Sequence, residues 1–188
     1  YYGPSLGGKT TNLLYIYEHT NRDIKGKIIY IDTKGDRTLF FDFLSLSAGK
    51  IRDFKIRVQL YTVPGQVAYD STRKLVLKGV DGVVFVTDSM VIKQKENIES
   101  LNNLEANLAE KGIDIHDIPL VLQYNKRDLE KGNIPLLSVE ELQNDLNSDL
   151  HAPYFLASAI NGTNVFETLR EISKRVVKSV GLKIIAKR

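Results

Sequence analysis

Two strongly apolar runs dominate the hydrophobic pattern: Gly82-Val83-Val84-Phe85-Val86-Thr87-Asp88 and Pro119-Leu120-Val121-Leu122-Gln123-Tyr124. Runs of this kind predict strands buried on both faces, as in a parallel sheet covered by helices. Between them, Ile98, Leu101, Leu104 and Leu108 recur at helical spacing, so residues 92–111 are expected to form an amphipathic helix with Gly112 as its C-cap. Upstream, Phe54-Lys55-Ile56-Arg57-Val58-Gln59-Leu60-Tyr61 alternates with period two. It predicts a half-exposed strand, hairpin-paired with 39–46, with Gly49 in the turn. A short strand is expected at Ile28-Ile29-Tyr30-Ile31 and helical or irregular chain over 67–79, ended by Gly79. Ser138-Val139-Glu140-Glu141 has the pattern of a capping box opening a helix to about Leu146. A last strand at 153–157 and a closing helix over 165–180 leave 181–188 as a tail. Strands alternating with helices make 1–188 a single three-layer α/β domain, with a mainly parallel central sheet and one antiparallel edge hairpin.

Near the start, Gly3-Pro4-Ser5-Leu6-Gly7-Gly8-Lys9-Thr10 fits G-x-x-x-x-G-K-T, a phosphate-binding loop. Its glycines let consecutive backbone N–H groups turn toward phosphate oxygens, Lys9 brings a compact positive charge, and the Thr10 hydroxyl suits Mg²⁺. The helix expected from Thr11 onward points its positive end at the same anion. The motif requires a strand before Gly3, yet the chain begins at Tyr1 without Met. Most of the first strand is therefore expected to lie upstream of this sequence.

Composition narrows the picture. The chain has 188 residues, 43% hydrophobic and 26% charged, as in ordinary globular domains. A net charge of +3 is too small to argue for nucleic acid, and zero Cys excludes disulfides, Cys-ligated zinc and prenylation of a C-terminal Cys. No apolar run reaches the roughly 18–20 residues of a membrane span, and no signal peptide is visible, so the cytoplasm is the expected compartment. His19, His116 and His151 lack metal-ligand spacing, and the basic residues from Lys174 to Arg188 read as solvated surface. The aromatic run Phe40-Phe41-Asp42-Phe43 reads as core with an adjoining strand.

Polar clusters fall where the predicted strands end, at Thr62–Gln66, Asn125–Asp128 and Ser158-Ala159, the carboxyl edge at which α/β sheets bind ligands. Asn125-Lys126-Arg127-Asp128 fits N-K-x-D. An Asp128 carboxylate can accept both the N1–H and the exocyclic amine of guanine, a donor pair that adenine lacks. Asn125 can bond the base and the phosphate loop, and the Lys126 stem can lie along the ring.

Together these stretches resemble the Ras-like small GTPase superfamily, whose fold is the P-loop NTPase (small G-protein) fold. The likeness is greatest to bacterial MglA-type gliding-motility and cell-polarity GTPases. It rests on Tyr1-Tyr2-Gly3-Pro4, Gly8-Lys9-Thr10-Thr11-Asn12-Leu13, Arg37-Thr38-Leu39-Phe40-Phe41-Asp42-Phe43, Tyr61-Thr62-Val63-Pro64-Gly65-Gln66 and residues 78–86. The resemblance implies a GTP/GDP and Mg²⁺ site built from Gly3, Leu6, Gly7, Gly8, Lys9, Thr10, Thr11, Thr38, Gly65, Asn125, Lys126, Asp128, Ser158 and Ala159. Thr10 and Thr38 would hold the metal, and Gly65 would offer its N–H to the γ-phosphate. Gln66 would orient the attacking water, with Lys9 and an in-cis arginine finger at Arg37 completing the catalytic set. It also implies a monomeric switch, slow without an activator of the MglB-type roadblock fold, and recruitment to a cell pole through partners.

Three positions depart from most Ras-like sequences. Thr62 stands where a Walker B Asp is usual, which predicts weak metal affinity, and Pro64 stiffens the turn before Gly65. Ser5 replaces a usual Gly and is expected to slow hydrolysis while sparing binding. A GTP-loaded scaffold with negligible turnover, and a P-loop ATPase or kinase, are the competing readings; Asp128 argues against the second.

Overall fold

The structure is a computed structural model that describes residues 1–31, 41–51, 54–66 and 69–186. Three antiparallel strands, β1 (Lys25–Ile31), β2 (Phe41–Ile51) and β3 (Phe54–Tyr61), form one sheet in the order β1-β2-β3. Three parallel strands, β4 (Val83–Asp88), β5 (Leu120–Asn125) and β6 (Tyr154–Leu156), form the other. Two residues join them. The Tyr1 amine donates to Tyr61 O and Val63 N–H to Tyr1 O, while Tyr2 N–H donates to Val84 O and Val86 N–H to Tyr2 O. Tyr1-Tyr2 thus lies parallel to both β3 and β4, where the phosphate-loop motif required a strand.

The predicted hairpin is the β2–β3 pair, and β1 adds a further antiparallel strand on its outer edge. Gly49 is not in the turn. It lies within β2 at φ +83°, where the register with β3 shifts between Ser47 and Lys50, a bulge that only a left-handed residue absorbs cheaply.

β4 and β5 are buried at every position, as their apolar runs predicted. Successive side chains leave the strands on opposite faces. Val83, Phe85, Leu120, Leu122 and Tyr124 pack under α2 (Asp70–Val76), α3 (Gln94–Ala109) and α4 (Val139–Leu146). Val84, Val86 and Val121 pack under α1 (Lys9–His19) and α5 (Val165–Ala186). This gives the three layers. A short 3-10 helix at Val91–Lys93 precedes α3, so the α-helix expected from 92 opens two residues later. The capping box at Ser138 and Glu141 closes in both directions, at 3.1 and 2.8 Å. α5 runs to Ala186, so most of the expected tail is helical. Gly181 alone does not stop it, because one glycine costs a helix only about 1 kcal/mol.

One polar residue interrupts the β5 run, and it is fully satisfied. Gln123 exchanges two hydrogen bonds with Asn12 of α1, at 2.8 and 3.0 Å, and donates to Thr168 Oγ1 at 3.1 Å. The helix that follows the phosphate loop is therefore clamped to the central strand by a buried amide pair.

Candidate nucleotide-binding site

The loop from Gly3 to Gly8 connects the Tyr1-Tyr2 segment to α1. Gly8 is the N-cap of α1 in the left-handed region (φ +101°), and a Cβ there would stand 2.1 Å from Asn125 Nδ2. Both conditions demand glycine. Lys9 is buried, and its ammonium donates to Gly3 O at 3.0 Å and Pro4 O at 2.6 Å, folding back over the loop. Leu6, at φ +60°, projects into solvent, and Thr10 and Thr11 open the helix.

Burial lowers the Lys9 pKa to about 7, with Arg73 pushing the same way and Asp42 opposing both. A phosphate placed in the loop would favour the charged form and raise that value. Binding of a phosphate ligand is then expected to take up a proton above about pH 7, so affinity falls as pH rises through this window. Calorimetry of nucleotide binding in buffers of different ionisation enthalpy at pH 8 checks the uptake, and Lys9→Met should abolish it.

The second edge of the site comes from the ends of β5 and β6. Asn125 donates to Gly7 O at 2.8 Å and accepts from Ala159 N–H at 2.8 Å, holding the phosphate loop against the 158–159 loop. Lys126 turns through the left-handed region, and its ammonium pairs with the fully buried Asp88 at 2.6 Å. Arg127 N–H donates to Ala157 O, and its guanidinium to Leu137 O. Asp128 sits half-buried in the 3-10 helix Arg127–Gly132. Among the described residues none donates to its carboxylate in the hydrogen bonds found. Ser158 Oγ is buried without a partner among the described residues, an orphan suited to a ligand.

The third edge is the 62–66 turn after β3. Gly65 presses on the phosphate loop so closely that a Cβ would meet Ser5 N at 2.2 Å and Pro4 C at 2.5 Å. Gln66 follows at the surface. Arg73 of α2, itself buried, donates to Pro64 O at 2.9 Å and Gly65 O at 2.7 Å, and also to Asn103 of α3 at 2.5 Å. Asn103 and Asn107 both donate to Asp70, and the Tyr2 hydroxyl donates to Asn103. The turn is thereby tied through one arginine to α3. Thr62 donates to Asp42 Oδ2 at 2.9 Å, and Thr10 donates to the same oxygen at 2.6 Å.

The structure thus brings Gly3–Thr11, Gly65, Asn125–Asp128 and Ser158-Ala159 to one end of the sheet. Arg37 and Thr38 lie outside the described residues. Asp42, Asp88, Arg73 and the Asn12–Gln123 pair were not singled out from sequence. Asp88 carried a usable signal, a carboxylate ending a fully buried strand; the others did not.

Comparison with known proteins agrees with this geometry. A model of the Ras family matches residues 28–178. The mutual gliding-motility protein MglA of Myxococcus xanthus (strain DK1622) is 56% identical, over 94% of this chain and 88% of that protein. The Ras-related protein RABG3f of Arabidopsis thaliana is 30% identical over 76% of this chain and 68% of its own length, and Rab7 of Pisum sativum is 28% identical over the same shares. With a phosphate loop, an N-K-x-D turn and a three-layer sheet in these positions, the chain belongs to the Ras family of small GTPases.

Proposed function

We propose that this GTPase binds GTP and GDP with Mg²⁺ and acts as a two-state switch in bacterial cell polarity and gliding motility. The observation that carries the nucleotide assignment is Asn125, whose side chain joins Gly7 of the phosphate loop to Ala159 through two hydrogen bonds. A ligand that spans from this loop to Asp128 needs phosphates at one end and a base with two donors at the other. The motility role rests on the likeness to the Myxococcus protein and on nothing in the site itself.

In this reading the backbone of residues 3–11 and the Lys9 ammonium hold the phosphates, while Asp128 selects guanine and Lys126 flanks it. Gln66 orients a water toward the γ-phosphorus. The new P–O bond forms as the bond to the β–γ bridging oxygen breaks, releasing GDP and phosphate. Gly65 N–H and Arg37 stabilise the charge on the transferring group, the arginine contributing about 10³–10⁵ in rate. The residues present fit a divalent cation, since Thr10, Thr62 and Asp42 gather oxygen donors beside the loop. That cation, when bound, neutralises charge on the β- and γ-phosphate oxygens; Thr10 would hold it, with Thr38 closing on it when GTP orders the 32–44 and 62–73 regions. Among the described residues no helix is long and apolar enough to cross a membrane. A cytoplasmic monomer drawn to a pole by partners, with a roadblock-fold activator of the MglB type, completes the proposal.

Single-turnover hydrolysis of GTP against ATP, with and without a roadblock-fold partner, is the test. Hydrolysis of GTP alone, faster with the partner, supports the switch; equal use of ATP defeats it. A second reading, a GTP-loaded scaffold with little turnover, is favoured by Ser5, whose Cα packs against Gly65, so that its side chain starts beside the turn leading to Gln66. Ser5→Gly should then raise single-turnover hydrolysis about tenfold or more while leaving GDP affinity unchanged, one decade being about 1.4 kcal/mol of barrier. An unaltered rate would clear Ser5 of any role.

A further inference from the structure

β4 ends on a charge that an apolar core cannot solvate. Asp88 is fully buried, the last residue of a strand buried at every position. A carboxylate taken out of water is tolerated only where a cation and hydrogen bonds meet it. Its Oδ2 accepts from the Lys126 ammonium at 2.6 Å, and its Oδ1 from Met90 N–H at 3.1 Å. Among the described residues Lys126 is its one ion-pair partner.

The backbone of Asp88 is fixed as firmly. Its N–H donates to Asn97 Oδ1 at 3.0 Å, and its carbonyl accepts from Asn97 Nδ2 at 2.8 Å, so one buried amide of α3 closes both bonds. In the parallel ladder Asp88 lies opposite Asn125, the residue before Lys126. Lys126 is thus caught at two points. Its backbone stands in the left-handed region at φ +68°, an uncommon conformation for a residue with a side chain, and its ammonium is pinned on Asp88. A free lysine side chain has more rotamer freedom to lose than nearly any other. Here that loss is taken in folding, before a ligand arrives, and the stem strung between the two points is a ready apolar surface. The next residue of the turn is held separately: Arg127 N–H donates to Ala157 O and its guanidinium to Leu137 O.

We propose that Asp88 is a positioning residue of the base site, which touches no nucleotide but lengthens its stay by holding the Lys126 stem in place against the face of guanine. The inference rests on the reading of this site as one for guanine nucleotide. It runs a mechanical line from α3, through Asn97 and Asp88, to the face of the base, apart from the Asp128 carboxylate that reads its edge.

Dissociation of ribose-labelled fluorescent GDP and IDP, chased with unlabelled nucleotide, tests it. Asp88→Asn keeps the shape and removes the charge, and release of GDP should quicken about tenfold, a size usual for neighbours in one ion-pair network. IDP lacks the exocyclic amine but offers the same kind of ring face, so its release should quicken by the same factor. Lys126→Met keeps an unbranched stem without the ammonium, and Asp88→Asn added to it should quicken release no further. Unchanged release in Asp88→Asn overturns the proposal. So do factors that multiply in the double variant, the behaviour of independent sites, and a GDP-to-IDP ratio that shifts, which would put the effect on the edge contact of Asp128. Should Asp88→Asn not fold, carbon relaxation at the lysine Cε positions of the native chain gives a second reading. Lys126 must be ordered before nucleotide is added, in contrast to the exposed Lys95; equal mobility overturns the proposal. A native chain that releases ADP as slowly as GDP removes the guanine reading itself, and the role of Asp88 with it. Slow release of GDP alone, untouched by Asp88→Asn, leaves that reading and removes only Asp88.

Discussion

Replacing Asp128 by Asn should cost the protein about 10⁴-fold in affinity for GTP and GDP while opening it to xanthine nucleotides. The acceptor pair that guanine's N1–H and amine require becomes one acceptor and one donor, and a buried donor facing a donor is rejected as strongly as a missing partner. Xanthine carries a carbonyl where guanine carries its amine, so it meets the new amide with the right polarity. Asp128 is half-buried on a 3-10 helix, and among the described residues no hydrogen bond commits its carboxylate to the protein, so the fold should not suffer. Equilibrium titration with fluorescent GDP and XDP, alongside a melting curve, checks both halves. Unchanged preference with an unchanged melting temperature would exclude Asp128 from the base site.

Gly65→Ala should act on a different step. Its Cβ would lie 2.2 Å from Ser5 N and 2.5 Å from Pro4 C, atoms of the backbone that cannot step aside without reshaping the phosphate loop. The turn must withdraw instead, and Arg73, which grips the carbonyls of Pro64 and Gly65, is pulled with it. The N–H that Gly65 is proposed to offer the γ-phosphate would then be out of reach. Loss of one such donor lowers transition-state stabilisation by about 10²–10³ in rate. GDP, which lacks that phosphate, should bind as before. Single-turnover GTP hydrolysis and GDP affinity measured together separate this outcome from general damage.

Much of this architecture is written locally. The apolar runs of β4 and β5, the spacing along α3 and the capping box of α4 each declare their element within a dozen residues. The phosphate loop and Asn125–Asp128 are contiguous motifs, so they too could be recognised before any contact was known. What escaped was made by distance. Asp42 lies amid phenylalanines, and its role arises only when β3 and α1 arrive from 20 and 32 residues away. Arg73 is an ordinary basic residue of a short helix until 62–66 and α3 close around it. Gln123 passed without remark within a buried strand because its partner is 111 residues distant. Gly49 and the end of α5 were misplaced for another reason: a glycine marks a turn, a bulge or a tolerated helical position alike, and tertiary pairing decides among them.

The clasp at Asn125 and the amide pair behind α1 imply something about time. The loop that receives phosphate is already fastened on its C-terminal side, where Asn125 ties Gly7 to Ala159 and Asn12 of the helix that follows is tied to β5. An arriving phosphate finds little of this loop left to order, so few degrees of freedom are lost there on capture. Encounter is then governed by diffusion, and the lifetime of the complex by how rarely these fastenings loosen together. Such a protein works as a clock: once loaded, it keeps its state until something outside it undoes the clasp or completes the reaction.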